Sequence, residues 1–541
     1  MANVIRQPCD EGVIRSQGVQ AACTPNAAPW VLAATILGSS MAFIDETALP
    51  VALPTIQDGL GATAVDAQWV VAAYTLFLAA LVLVGGSMGD RLGRKRIFSV
   101  GVALFALASA ACGLSRSAEL LIAARALQGV GAALLVPSSL AIIGASFEEE
   151  RRGKAIGTWT SLTSVTLILG PVLGGYFAEN VSWRAVFFIN VPLAVAVLAI
   201  TRSRVPESRD PDARRLDLLG AALAALGLGG LVYGLLESVR SGLGDARVIG
   251  ALIVGAVALG AFLVVEGRSR EPMMPLSLFR SRNFTGANAF TLLLYFALVG
   301  TMFFLPFNLI WVQGYSATAA GAAIVPAILV LSLLSRYTGG LTDRYGPRLP
   351  LVVGPAIAAI GFALFAVPGV ESGSYWRTFF PAAVVLGVGL SILVPAVTTV
   401  ALNSVDARHE GLASAINNAF SQTAGLLAVA VLGVIMFISF GASLDVRLAE
   451  ANLPSAAKQK LEDEKVLLGA AQAPESLGAA QSTDVERAID EAFVSGYRLV
   501  MVVAAAMALA SAVSAAILLE GKRTKGSAHQ SILEREVTRD P

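Results

Sequence analysis

Fourteen apolar stretches, each long enough to cross a lipid bilayer, follow one another along almost the whole chain. In chain order they are spans 1 to 6, Trp30–Leu53, Ala67–Met88, Ile97–Leu114, Ala118–Phe147, Gly153–Ala178 and Ala185–Thr201. Spans 7 and 8 are Leu216–Glu237 and Val248–Val265. Spans 9 to 14 are Phe284–Phe307, Ala317–Leu341, Leu349–Val370, Thr378–Leu402, Gly411–Phe440 and Gly496–Leu519. A hydrocarbon core of about 30 Å needs about 20 apolar residues of helix. Inside lipid the backbone must satisfy its own hydrogen bonds, which an α-helix does within one segment even where Gly and Pro interrupt it. Only 14% of the 541 residues are charged, against roughly 25% in soluble domains. The expected fold is therefore an all-α integral membrane protein.

Lys and Arg alternate in density from loop to loop. Arg91, Arg94, Lys95 and Arg96 follow span 2, and Arg151, Arg152 and Lys154 follow span 4. Arg202, Arg204, Arg209, Arg214 and Arg215 follow span 6, and Arg268, Arg270, Arg280 and Arg282 follow span 8. The intervening short loops hold only Arg116, Arg184, Arg240, Arg247 and Arg377. Basic loops stay in the cytoplasm, so both termini are expected there, in a multi-pass cytoplasmic (inner) membrane protein. Residues 1–29 lack the pattern of a cleaved signal peptide. The long polar loop 441–495 is expected outside, either mobile or folded as a small helical cap from the amphipathic stretches Ala456–Gly469 and Asp484–Phe493. Thr483 and Glu486 have the spacing of a capping box there.

A net charge of +1 gives no reason to expect a nucleic-acid partner. Cys9, Cys23 and Cys112 are too scattered for a disulfide framework. His409 and His529 cannot form a histidine metal cluster. Neither a metal nor a cofactor is expected, and no enzyme activity; Gly129-Val-Gly131 lies inside an apolar run, not after a strand as a nucleotide loop would.

The chain repeats itself. Gly86-Ser-Met-Gly-Asp90-Arg91-Leu-Gly93 returns as Gly339-Gly-Leu-Thr-Asp343-Arg344-Tyr-Gly346. Gly129, Pro137 and Gly153 return as Gly387, Pro395 and Gly411, each 258 residues on. Two related six-helix halves with a site at their interface are a recurring transporter plan. The expected division is a tail at 1–29, an N-terminal half at 30–201 and a linker at 202–283 with the extra spans 7 and 8. A C-terminal half at 284–519, including loop 441–495, and a tail at 520–541 complete it.

The residues that carry a family likeness stand in order along the chain. Gly86 to Arg96 resembles the cytoplasmic loop motif of the major facilitator superfamily, and Arg125-Ala-Leu-Gln128-Gly129-Val-Gly131 looks like the span 4 motif of its proton-coupled members. Gly170-Pro171-Val-Leu-Gly174-Gly175 looks like the antiporter motif of span 5. Ile44-Asp45-Glu46-Thr47 through Pro54, with Trp183-Arg184 and Phe188-Ile-Asn190-Val-Pro192, is similar to the fourteen-helix drug:proton antiporters. The likeness covers roughly residues 28–520. Pro50, Glu46 and Thr166 depart from that pattern, which usually has Asn, a neutral residue and Gly. The resemblance implies a proton-coupled exporter of lipophilic, cationic drugs, working as a monomer with protons, bilayer and small-molecule substrate as its partners. The same fold could export a metabolite, lipid or siderophore, or serve as a sensor without transport.

An ionisable side chain at the bilayer centre is costly and is a functional candidate by default. Asp45 and Arg125 are the clearest proton-coupling candidates, with a fixed ion pair as the alternative. At 1.5 Å per residue, counting along spans 1 and 4 places both at a similar depth. Glu46 points about 100° away round the helix, either as a second carboxyl or towards outer water. Asp90, Arg91, Arg94, Asp343 and Arg344 are implied as a cytoplasmic latch in the outward-open state, with Asp90 near Gly411 and Asp343 near Gly153. By family geometry the substrate wall draws on Tyr74, Gln128, Tyr295, Phe296 and Phe303, and on the amides Asn308, Asn417, Asn418 and Gln422. Aromatic and amide groups beside an acid suit lipophilic cations.

Overall fold

A computed structural model describes residues 27–519 except 211–215, 371–372, 404–409, 451–452 and 475, and at 149–150, 343, 398–399, 401–403, 410 and 450 the backbone alone. Regular structure among the described residues is helical throughout. Fourteen helices are long and apolar enough to span a bilayer, one at each expected stretch, from Ala28–Leu60 to Ala479–Leu518.

Two of them depart from the sequence expectation. Span 13 forms a helix of 41 residues, Glu410–Glu450, and span 14 one of 40, Ala479–Leu518. At 1.5 Å per residue each is about 60 Å long, roughly twice the bilayer core. Both run on beyond the apolar stretch because their polar extensions still carry an apolar stripe. Leu444, Leu448, Val485, Ile489 and Phe493 are buried there, together with Leu461 and Leu468 of the intervening segment. That segment is the helix Ser455–Glu464 followed by a 3₁₀ stretch, Lys465–Ala470. The described residues within 441–495 thus form a packed helical cap. The expected capping box is absent: the helix already starts at Ala479, and the Thr483 hydroxyl donates to the Ala479 carbonyl at 3.1 Å.

Spans 1 to 6 pack among themselves, and so do spans 9 to 14. Spans 7 and 8 pair with each other, and span 7 lies over the line where spans 2 and 13 meet. Val65, Leu76, Leu228, Val232, Leu426 and Ala430 form the apolar cluster at that junction.

The seam between the two sets is closed at the cap end. A Cβ on Gly175 of span 5 would lie 2.9 Å from the Thr318 Cα of span 10, and one on Gly321 would lie 2.7 Å from the Pro171 carbonyl carbon. The Thr318 amide donates to Glu179 at 2.9 Å. At the Asp90 end the same two spans part: Ile156, Leu162 and Val165 of span 5 are exposed, as are Leu329, Leu333 and Tyr337 of span 10. Among the described residues, none would come within 4 Å of a Cβ placed on Gly153 or Gly411. Spans 5 and 10 therefore touch along Ala317–Ala322 and separate along Val325–Thr338, toward the end that carries the basic loops.

In this conformation the expected latch at Asp90 is not formed: no described residue lies within 4 Å of a Cβ placed on Gly411. Asp90 is held inside its own loop by Arg94, whose Nε donates to it at 2.8 Å. The side chain of Asp343 lies outside the described residues, and Arg344 lies over the Tyr345 ring at 5.3 Å. The chain after span 6 wraps this loop instead. Glu207 accepts from the backbone amides of Lys95 (3.0 Å) and Arg96 (3.1 Å), a carboxylate capping the N-terminus of span 3. The Asp210 amide donates to the Asp90 carbonyl at 2.8 Å. Gly93, with φ of 113°, makes the turn, and a Cβ there would lie 2.8 Å from the Glu207 carboxylate.

Candidate functional site

Small residues bring spans 2, 3 and 4 close together. A Cβ on Gly129 would lie 3.1 Å from the Tyr74 Cα, and one on Gly131 would lie 2.6 Å from the Phe105 nitrogen. Close approach through glycine is a common device between membrane helices. It lays the Tyr74 ring against the Arg125 guanidinium, 4.3 Å from its centroid.

Arg125 and Asp45 meet in a buried ion pair, with 1% and 0% of their side chains exposed. The remaining valences are largely satisfied. Arg125 Nε donates to the Val70 carbonyl at 3.0 Å, and its Nη1 donates to Gln128 Oε1 at 2.8 Å. That bond orients the Gln128 amide so that its Nε2 donates to Asp45 Oδ1 at 2.8 Å. Asn190 Nδ2 lies 3.5 Å from the same oxygen and donates to Ser109 Oγ at 3.1 Å. Ser109 in turn donates to the Phe187 carbonyl at 2.8 Å, and Cys112 Sγ lies 3.6 Å from Gln128 Oε1. Desolvating two charges costs several kcal/mol per ion, offset only by good geometry and further hydrogen bonds; this network supplies both. The Tyr74 hydroxyl and Asn190 Oδ1 are buried there without a hydrogen-bond partner.

Asp45 and Glu46 face different ways, as helical geometry requires. Glu46 is half-buried and lies within interaction range of Gln422 of span 13, so it faces the second set of spans and not outer water. The span 5 motif packs beside the same stretch of span 1. A Cβ on Gly170 would lie 3.3 Å from the Ile44 carbonyl, and one on Gly174 would lie 2.8 Å from the Ala48 Cα. Pro171 and Gly175 face span 10.

Four expected wall residues are enclosed instead. Tyr74 and Gln128 belong to the Asp45 network, because Gln128 lies three residues from Arg125 and so shares its face. Phe303 packs among Phe304 and Phe307, with centroids 4.9 and 5.5 Å away. Asn308 is 1% exposed. Asn417 is bound to span 9 through Asn288 (3.2 Å) and Thr291 (2.9 Å). Tyr295, Phe296, Asn418 and Gln422 keep partly open positions. Sequence reasoning passed over Asn190, Ser109 and Glu207 as site residues. An amide at 190 inside an apolar run was the available signal for the first. No group of three or more metal-binding side chains occurs among the described residues.

A family model described as Major Facilitator Superfamily matches residues 35–442. The tetracenomycin C resistance and export protein of Streptomyces glaucescens is 33% identical over 488 residues, 90% of each chain. The multidrug efflux pump LfrA of Mycolicibacterium smegmatis is 33% identical over 90% of this chain and 96% of its own. In fold, the chain is similar to a crystal structure of a bacterial homologue of the human lysosomal transporter Spinster in an inward-facing, unoccupied conformation. The TM-score is 0.60 at 20% identity, covering 91% of this chain and 98% of that one. With the fourteen spans and the family match in hand, the chain belongs to the major facilitator superfamily and is a multi-pass membrane transporter, not an enzyme.

Proposed function

We propose that this transporter exports drugs and related lipophilic compounds, lipophilic cations among them, in exchange for protons by alternating access. Relatives at 33% identity over most of the chain are named for antibiotic resistance, export and multidrug efflux. The observation that carries the coupling is the sealed Asp45–Arg125 pair. The two charges compensate each other only while they are in contact, so delivery of a proton to the carboxyl would release the guanidinium.

The Lys/Arg asymmetry assigns the Asp90 end to the cytoplasm. The present conformation is then inward-open, with Asp45 paired to Arg125. In this reading the proton has left to the cytoplasm and cargo enters from the inner side. Cargo binding between the two sets of spans favours closure of the inner end and opening of the cap end. A proton from outside then neutralises Asp45 and frees Arg125 to Val70, Gln128 and the Tyr74 face. That packing favours return once cargo has left. Glu46 faces the other set across the seam and supplies a negative charge for a cationic cargo. The Asp90 and Asp343 loops would latch the inner end in the outward-open state, where a carboxylate at a helix N-terminus is favoured by about 0.3–1 kcal/mol.

The test is efflux of a panel of lipophilic dyes from cells, with and without an uncoupler. Uncoupler-sensitive efflux that disappears in Asp45→Asn supports the reading. Efflux that persists at full rate after the proton gradient is collapsed removes it.

A further inference from the structure

The cap reaches into the seam at one point. Leu468 is the one non-glycine residue with positive φ among the described residues, at 55°, with ψ of −128°. A left-handed φ with that ψ is unfavourable for a branched side chain and persists only where surroundings hold it. Leu468 is 4% exposed. It closes a chamber lined by Gln68 of span 2, by Phe303, Phe304, Phe307 and Trp311 of span 9, whose helix runs over Arg282–Val312, and by Phe493 of span 14. The room left is about one water molecule.

The backbone beside Leu468 is tied to both sets of spans. Gln57 Nε2 of span 1 donates to the Leu467 carbonyl at 3.3 Å. A Cβ on Gly469 would lie 2.8 Å from the Trp311 ring and 2.9 Å from the Phe493 ring. Lys465 anchors the segment to the cap through Asp445 (2.5 Å) and Glu462 (2.6 Å). The chamber lining is aromatic, with the five rings of Phe303, Phe304, Phe307, Trp311 and Phe493, and it holds one buried amide oxygen, Gln68 Oε1, without a partner. Its walls come from both sets of spans, so opening the cap end must widen it.

We propose that this chamber is an exit site for the flat, apolar ring system of the exported molecule, and that Leu468 is its built-in plug. With the cap end closed, Leu468 fills the chamber. When the two sets separate there, the plug relaxes from its left-handed backbone and withdraws. An aromatic cargo then takes its place, stacked among Phe303, Phe307, Trp311 and Phe493 with Gln68 as hydrogen-bond partner. The proposal rests on the export reading and its inward-open assignment, but the first test reads binding without transport.

The test uses the full chain in cells. Gln68→Cys is labelled from outside with a small, impermeant thiosulfonate, alone and combined with Leu468→Gly, and the parent chain controls for the native cysteines. Labelling should rise several-fold with Leu468→Gly, and ethidium should then slow it several-fold. Equal labelling with and without Leu468, or no protection by ethidium, overturns the proposal. In the second arm, Gln57→Cys with Leu467→Cys is oxidised with copper–phenanthroline. Ethidium efflux should stop and return on reduction; undiminished efflux from the cross-linked protein overturns the plug. If the parent chain itself exports no dye, the export reading fails, while the labelling arm still decides the chamber.

Discussion

Asp45 and Glu46 are adjacent in the chain but serve different partners. Asp45 is sealed among spans 1, 4 and 6 against Arg125, Gln128 and Asn190, whereas Glu46 faces Gln422 in the other set of spans. A single helical step of about 100° separates the two directions. In the proposed exchange, Asp45 would take up and release the proton inside the first set while Glu46 meets cargo or the second set.

Asp45→Asn should abolish proton-driven dye efflux and leave the protein folded, since the amide mimics the neutral acid and still fits the Gln128 network. Efflux with an imposed pH gradient, beside a detergent size-exclusion profile, measures both. Full pH-dependent efflux by this variant would falsify its role and make Glu46 the first alternative.

Arg125→Ala should be harsher. It strands a buried carboxylate, a change that typically costs about 3–5 kcal/mol, and it empties the face of Tyr74. A lower thermal unfolding midpoint together with lost efflux is expected. Restoring stability but not efflux in the double variant Asp45→Asn, Arg125→Ala would separate the two roles.

Glu46→Gln should keep the fold and the proton response while weakening efflux of cationic dyes more than of neutral ones. The ratio of the two rates checks this. An equal effect on both would mean that the charge serves the protein's own packing.

Gly175→Val should hinder closure of the cap end, because any β-carbon there meets the Ala317–Thr318 backbone. The expected result is increased labelling of outer-facing cysteine probes and slower efflux. Unchanged labelling would show that the seam shifts to accommodate the side chain.

A cysteine placed near Gln472, in the cap, should react with an impermeant reagent added outside and not from the cytoplasm. The Lys465 anchor should hold across the neutral pH range. Burial alone would pull its ammonium down, but Asp445 and Glu462 outweigh this and raise it. A raised lysine contributes stability that is complete below its ordinary value of ~10.4 and lost only as pH rises through the folded value. Cap protection from protease that fell between neutral and mildly alkaline pH would contradict this.

The sequence by itself determined the number of spans, because burial in lipid is a demand that each stretch of about 20 residues meets or fails alone. It also singled out Asp45 and Arg125, since the cost of a charge in lipid is set by where it lies in its own helix. Span counting even put them at one depth. Tertiary structure alone decided what those residues touch. Which face of span 6 brings Asn190 to Asp45, and which face of span 4 hides Gln128 from the seam, depend on rotations and crossings between helices that no local pattern specifies. The cap was half legible: its amphipathic stripes were visible, but their fusion with spans 13 and 14 depended on Leu444, Leu461 and Phe493 finding one another. Which end of the seam is closed is not a property of any segment. It is a balance between two packings of the same helices, settled by contacts such as Gly175 on Ala317 that exist in one of them.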